Sequence, residues 1–143
     1  MTNDPFEYIV QGDIEAACVD ILRSASEVTT LCPTNNISTD LVGYQLGVPW
    51  VMVERQGGAR RYPYITAKPR VDFECRAMTR ADAHDLAQVC LAVVIRESTR
   101  YAGKGVRLMN AKVETDIYRH YDKPDEAVIY IFALRLTVRP GPA

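Results

Sequence analysis

The sequence predicts an α/β protein with one mixed or antiparallel β-sheet of about four to five strands and two helices packed mainly on one face of it. Three observations lead to this expectation. Apolar residues recur at helical spacing in two segments, and they alternate with charged residues in others. The segments follow in the order helix, strand, strand, long helix, strand, strand, which favours helices layered on one sheet. The length of 143 residues suits a single domain over residues 1–143.

Both helices are predicted from a capping residue followed by an apolar stripe. Asp13 offers a cap for the first helix, over residues 13–26. Thr79 does the same for a long helix that ends near residues 96–98. The stripe of the first helix is Ile14, Ala17, Cys18, Ile21, Leu22 and Ala25, and that of the second is Ala83, Leu86, Ala87, Cys90, Leu91, Val93 and Val94. One side of each helix is therefore expected to face the sheet.

Four segments read as strands. Residues 48–53 are apolar throughout and predict a buried strand, whereas apolar and charged residues alternate over residues 70–77. Residues 106–118 and 127–139 are separated by a polar turn and predict a hairpin. The sheet face opposite the helices is then charged, with Asp72, Glu74, Arg76, Lys112, Glu114, Asp116, Arg135 and Arg139. Such a face is either solvated or meets a neighbouring subunit through complementary charge.

Residues 28–47 are predicted to be mostly loop, with a short possible strand around residues 37–39. Two further segments are predicted to be irregular. Residues 55–69 carry Gly57 and Gly58 among arginines and tyrosines, and they read as a long loop. Such a loop serves as a contact arm for a subunit or partner, as an ordinary solvated loop, or as a nucleic-acid arm. Residues 140–143, with two prolines and a glycine, read as a short flexible C-terminal tail.

Composition and charge disfavour several classes of protein, among them general nucleic-acid binders and membrane proteins. The net charge of −1 argues against a general nucleic-acid binder and leaves room only for a local basic patch. No apolar run approaches the roughly 18 residues of a membrane span, and no secretory signal opens the chain, so we expect no membrane partner and intracellular synthesis. The four cysteines form no C-x-x-C pair and are expected to be reduced and mostly buried.

No motif indicates catalysis. The glycine pairs do not precede a helix, so no phosphate cradle is predicted. The two histidines, His84 and His120, lie far apart and without a cysteine cluster, which disfavours a metal site. Asp72 and Glu74 share a strand face but lack a visible pocket. We therefore expect a protein that is not an enzyme, with no catalytic, cofactor-binding or metal-binding residues and no cofactor.

The order of elements and several segments resemble one known family. The segments are the initial helix, residues 49–55 (PWVMVER) followed by Gly57-Gly58, residues 69–77 (PRVDFECRA), and the helix opened by residues 79–83 (TRADA). Together they resemble the tail terminator, or head-to-tail joining (minor tail), proteins of long-tailed bacteriophages.

The resemblance implies a structural virion protein without catalytic residues. Such proteins form a ring, typically a homohexamer, on the last ring of the tail tube; they end tube polymerisation and join the tail to the head connector or head-closure protein. Genomic DNA passes through the lumen without specific binding. The expected location is the tail-neck junction of the virion, after assembly in the host bacterial cytoplasm.

Ring closure needs two different complementary patches on each subunit. As hypothetical subunit or partner contacts the sequence offers Arg55, Arg60, Arg61, Tyr62, Tyr64, Asp72, Glu74, Arg76, Asp122 and Lys123. Alternatives remain open: another neck component, namely a head-closure or tail-completion protein, a small α/β enzyme, or a nucleic-acid-binding module.

Overall fold

A computed structural model describes residues 12–61, 66–120 and 127–143, and for residues 58–61 it describes the backbone alone. Three α-helices lie in this part of the chain: α1 (Ile14–Arg23), α2 (Ser26–Thr29) and α3 (Arg80–Arg96). The strands are β1 (Ile37–Ser38), β2 (Trp50–Arg61), β3 (Thr66–Ala77), β4 (Ala102–Gly103), β5 (Val106–His120) and β6 (Val128–Pro140). The broad α/β prediction is confirmed.

The six described strands form one sheet in the order β1-β2-β3-β6-β5-β4. β1 runs parallel to β2, and every other neighbouring pair is antiparallel. β1 lies where a short strand was predicted as possible, around residues 37–39. The predicted count of four to five strands was still too low, because β4 is only two residues long and carries almost no periodic signal. The four long strands form the body of the sheet.

Both long helices begin where their caps predicted. The Asp13 side chain accepts a hydrogen bond from the backbone N–H of Ala16 at 3.0 Å. The Thr79 hydroxyl accepts one from Asp82 at 3.2 Å, so each cap satisfies an amide that has no partner inside the helix. Gly12 lies so close to Gly105 that a Cβ atom at position 12 would fall 2.3 Å from the Gly105 backbone. A glycine there lets α1 dock on the turn before β5.

The core lies between the sheet and the two long helices. Phe73 of β3 and Phe132 of β6 stack with ring centroids 4.7 Å apart, and both side chains are fully buried. α3 packs on β3 and β6, while α1 packs beside it on β2. Because buried side chains alternate along β3, the helices cover one face of the sheet and leave the other to its charged residues.

The predicted long loop over residues 55–69 was wrong. β2 continues to Arg61 and β3 begins at Thr66, so most of these residues lie in paired strands. Gly57 has a positive φ of 87° and sits at a register shift between Arg55 and Gly58. The glycines thus mark a β-bulge, which costs a glycine little because it lacks a Cβ atom.

The C-terminal segment, for which a short flexible tail was predicted, forms backbone hydrogen bonds to the rest of the chain. β6 runs to Pro140, and Gly141 then donates a backbone hydrogen bond to Gly105 at 2.9 Å. Gly105 in turn donates to the carbonyl of Pro142 at 2.7 Å. These two bonds hold the segment against the start of β5.

Leu86→Ala in α3 should lower the free energy of unfolding by about 2–5 kcal/mol, because it removes a buried side chain and leaves a cavity against the sheet. Leu86 is 1% exposed, whereas Leu46 is 57% exposed and gives a matched control. Urea denaturation followed by circular dichroism measures both variants. We expect Leu46→Ala to stay within about 0.5 kcal/mol of the parent protein. Equal losses would show that α3 is not packed on the sheet as described.

Candidate assembly interface

The face of the sheet turned away from the helices carries a set of charged side chains. Val71, Phe73 and Cys75 of β3 are buried under the helices, so the residues that alternate with them point the other way. Cross-strand pairing extends this exposed face from β3 through β6 to β5. Its charged members include Glu54, Lys68, Arg70, Asp72, Glu74, Arg76, Arg107, Lys112, Glu114, Arg135 and Arg139.

Carboxylates on this face are paired within the subunit. Glu114 accepts hydrogen bonds from Arg135 Nε at 2.9 Å and Nη2 at 2.8 Å. These bonds lower the pKa of Glu114. Asp72 accepts from Arg70 Nε at 3.0 Å, and this hydrogen bond raises the pKa of Arg70. The predicted contacts Asp72 and Glu74 therefore already have cationic partners, Glu74 through Arg76 at 3.1 Å.

One end of the exposed face is covered by the segment between β1 and β2. The Arg76 guanidinium lies 5.2 Å from the centroid of the Tyr44 ring, at the distance of a cation–π contact. Tyr44 meets Trp50 edge-on at 5.7 Å, and Trp50 Nε1 donates to the carbonyl of Asp40 at 3.0 Å. The side chains of Arg76 and Glu74 are consequently only 13% and 16% exposed. This end is a packed surface, and the solvated part lies toward Arg135 and Arg139.

Both lateral edges of the sheet have long stretches without a strand partner among the described residues. β1 pairs only with Val51 and Met52, so β2 has no further strand partner on that side from Val53 onward, although the Arg55 N–H donates to Glu15 of α1. β4 pairs only with Val106 and Arg107, so β5 is open over most of its length. Met109, Val113 and Tyr118 of β5 are large apolar side chains at 41%, 41% and 45% exposure. An open edge with exposed apolar residues is a surface that accepts another strand.

The predicted contact residues that the structure describes do not form one cluster; they lie on the charged face of the sheet and along β2. The backbone N–H of Arg55 donates to Glu15 Oε2 at 2.9 Å, which ties β2 to α1. Arg60 and Arg61 lie at the end of β2, in register with Ala67 and Thr66. Tyr62, Tyr64, Asp122 and Lys123 lie outside the described residues. The contact set as a whole stays a prediction.

The polar groups of one surface groove already stabilise the fold. This groove, of about 300 Å³, lies beside α1. Asp13 caps α1, Asp20 accepts from the Tyr101 hydroxyl at 2.7 Å, and Arg23 donates to the carbonyl of Ile37 at 2.7 Å. Burial and the bond to Asp20 raise the pKa of Tyr101. These side chains thus have structural roles.

Residues considered for chemistry from the sequence lie apart in the structure. His84 stacks edge-on against Tyr130 at 5.4 Å, whereas His120 is exposed at the far end of β5. Across residues 12–61, 66–120 and 127–143, no three potential metal-ligating side chains come together. None of the helices in this same part of the chain is long and apolar enough to span a bilayer.

The four cysteines are free and buried. Burial raises the pKa of Cys18 to about 12, and the nearby carboxylates Glu15 and Asp13 add to the shift. Burial likewise raises the pKa of Cys32 to about 12. The Cys90 thiol and burial together raise the pKa of Cys75. Cys18, Cys32 and Cys75 therefore stay protonated near neutral pH, and all four cysteines pack as small apolar side chains.

Comparison with solved structures shows an extensive similarity in fold. A chain from the virion of a native gene transfer agent particle superposes with a TM-score of 0.66. The match covers 96% of this chain and 99% of the other, at 14% sequence identity. The two chains share a fold. No protein-family model matches the sequence, and no curated protein matches it.

Sequence reasoning missed two features of this surface. It did not find that residues 39–49 cover one end of the exposed face, because that segment has no periodic signal. It also missed Arg107 as a member of the charged face, opposite Arg139. That pairing follows only from the register between β5 and β6. The sequence does not show this register, because bulges break the alternation of side chains along β5.

Glu114→Gln should lower stability at neutral pH, because the charged pair with Arg135 is lost. The folded pKa of Glu114 is lowered, so its stabilising contribution is present above the ordinary glutamate pKa of about 4.3 and is lost as the pH falls through the folded value. Urea midpoints of variant and parent should therefore differ at pH 7 and converge toward pH 3. Glu54→Gln, at an exposed position of β2, is the control. A difference that persists unchanged at low pH would contradict the pairing.

Proposed function

We propose that this protein is a structural, non-enzymatic virion protein that acts as a tail terminator. It forms a ring on the end of a phage tail tube, ends tube polymerisation and joins the tail to the head connector. The observation that carries the proposal is the near full-length fold similarity to a chain of a gene transfer agent virion. The family resemblance of the sequence supports the finer role.

The open sheet edges supply two unlike patches for a ring. β2 and β5 lie on opposite sides of the four long strands, and successive long strands alternate in direction. β5 is therefore antiparallel to β2. If one subunit is placed beside the next in the same orientation, β5 of the first meets β2 of the second as an antiparallel pair. Such a head-to-tail contact generates a ring when the rotation between subunits closes.

The two open stretches overlap along the sheet. Arg60 is in register with Ala67, Ala67 with Val138, and Val138 with Leu108. The open part of β2 thus lies level with the first half of β5. Bulges interrupt both edges, between Arg55 and Gly58 and after Leu108 and Val113. Bulges bend strands, and bent edges favour a curved, closed assembly over a flat and unlimited one.

In this proposal the partners are further copies of the chain, the tail tube protein and the head connector or head-closure protein. The location is the tail-neck junction. Near-neutral net charge fits a subunit that stacks on other proteins, since large net charges of one sign repel. Another neck component, such as a head-closure or tail-completion protein, would share the virion location but would not stop tube growth.

Native mass spectrometry and negative-stain imaging of the purified protein should show closed rings of one size with a central opening. When these rings are added to polymerising tail tube protein, tube length should stop increasing. Rings that leave tube growth unaffected would favour another neck component. A protein that stays monomeric and neither binds tubes nor stops them would contradict the terminator role.

Val113→Lys should weaken ring formation, because it places a charge on the open edge of β5. Val113 is 41% exposed, so a lysine can be accommodated in the folded subunit. Val42→Lys makes the same change at an 81% exposed position in the connection between β1 and β2, outside the long strands, and should leave rings intact. Native mass spectrometry reports the ring fraction, and circular dichroism shows that both variants fold. If Val113→Lys assembled as well as Val42→Lys, β5 would not be the contact.

A further inference from the structure

The exposed face of the sheet places like charges directly opposite one another. Arg70 of β3 is the register partner of Arg135, and Arg135 is also the partner of Lys112 on β5. Four residues further along β6, Arg139 is the partner of Arg107. Like charges in opposed positions destabilise a sheet. Glu114 lies 4.0 Å from Arg70 and 2.8 Å from Arg135 and offsets the repulsion in the first row. Among the described residues no carboxylate forms an ion pair with Arg107 or Arg139 in the second row.

The rows belong to a larger set of cations, which we name the basic patch: Lys68, Arg70, Arg107, Lys112, Arg135 and Arg139. Two carboxylates, Asp72 and Glu114, are hydrogen-bonded to Arg70 and Arg135, and Glu54 is the register partner of Asp72. The six cations minus these three carboxylates leave an excess of three positive charges. The chain as a whole has a net charge of −1. Positive charge is therefore concentrated on this half of the face.

Several cations of the patch are available to an external partner. Within the described residues, Lys68, Lys112, Arg107 and Arg139 form no ion pair. Arg107, Lys112 and Arg139 are exposed. The residues between the rows, Asn110 and Thr137, are polar hydrogen-bonding groups in register with each other. Protein–protein contacts have apolar centres depleted of charge, so this surface fits a polyanion better than a protein.

We propose that the basic patch binds the phosphate backbone of double-stranded DNA without reading its sequence. Arg135 and Arg139 are four residues apart, which is about 13 Å along a strand, and neighbouring strands are about 4.8 Å apart. Phosphates of one DNA strand recur about every 3.4 Å along the helix axis. The patch therefore spans several phosphates. It lies on strands of the sheet, and in the described part of the chain the long helices pack on the other face, so none of them enters a groove from this surface to read bases.

This inference does not rest on ring formation, because the exposed face belongs to one subunit. A protein that binds DNA but forms no ring would leave the inference standing while contradicting the proposed function. A protein that forms rings but does not bind DNA would contradict the inference and leave the proposed function standing. The two ideas can therefore fail separately.

Fluorescence anisotropy of a short labelled DNA duplex, titrated with the protein over a series of salt concentrations, tests the proposal. The parent protein should bind, with an affinity that falls steeply as salt rises and does not depend on the duplex sequence. The double variant Arg107→Gln/Arg139→Gln removes two charges from the patch. Its slope of log K against log salt should be smaller in magnitude by about 2, close to one for each lost phosphate contact.

Arg80→Gln/Arg100→Gln is the matched control, since it removes two exposed arginines near the ends of α3. It should keep the slope of the parent protein. If both double variants reduced the salt slope equally, DNA binding would depend on the overall charge of the protein, and the assignment to the basic patch would be wrong. Absence of DNA binding at low salt would overturn it as well. If the patch variant lost binding to polyglutamate but not to DNA, the surface would be one for an acidic protein, and the DNA proposal would be wrong.

Discussion

The pairing of β3 with β6 is the contact on which the rest of the structure depends. These strands lie about 60 residues apart in the sequence, and they bring together β2 with β3 and β5 with β6. The Phe73–Phe132 stack lies at the centre of this seam, beneath α3. Aromatic stacking adds to the area that the two rings bury, so the interaction both stabilises the seam and fixes its register. Without it there would be two separate hairpins and no surface for the helices.

That single seam also determines the character of the opposite face. Because side chains alternate along a strand, burying Phe73 and Phe132 directs Asp72, Glu74 and Ala133 away from the helices. One part of this face is covered by the chain itself through Tyr44 and Trp50, and the remainder is left to charged residues. The molecule therefore has a packed helical side, a charged sheet side and two open edges, which suits a subunit with several neighbours.

Local signals predicted the local structure well. Asp13 and Thr79 gave the helix starts, and alternation gave the antiparallel pair of β5 with β6, because caps and periodicity act over a few residues. Gly57 misled the prediction, since a glycine among polar residues signals a turn as readily as a bulge. Cross-strand pairs such as Arg107 and Arg139 could not be predicted from the sequence. The register between β5 and β6 depends on bulges, and these bulges leave no pattern in the sequence.

The burial of every cysteine has a consequence for durability. Thiolates, not thiols, react with oxidants and with other disulfides, and raised pKa values at Cys18, Cys32 and Cys75 keep these sulfurs in the inert form. A chain whose thiols are protonated and out of reach of solvent oxidants keeps the same covalent structure in reducing and in oxidising surroundings.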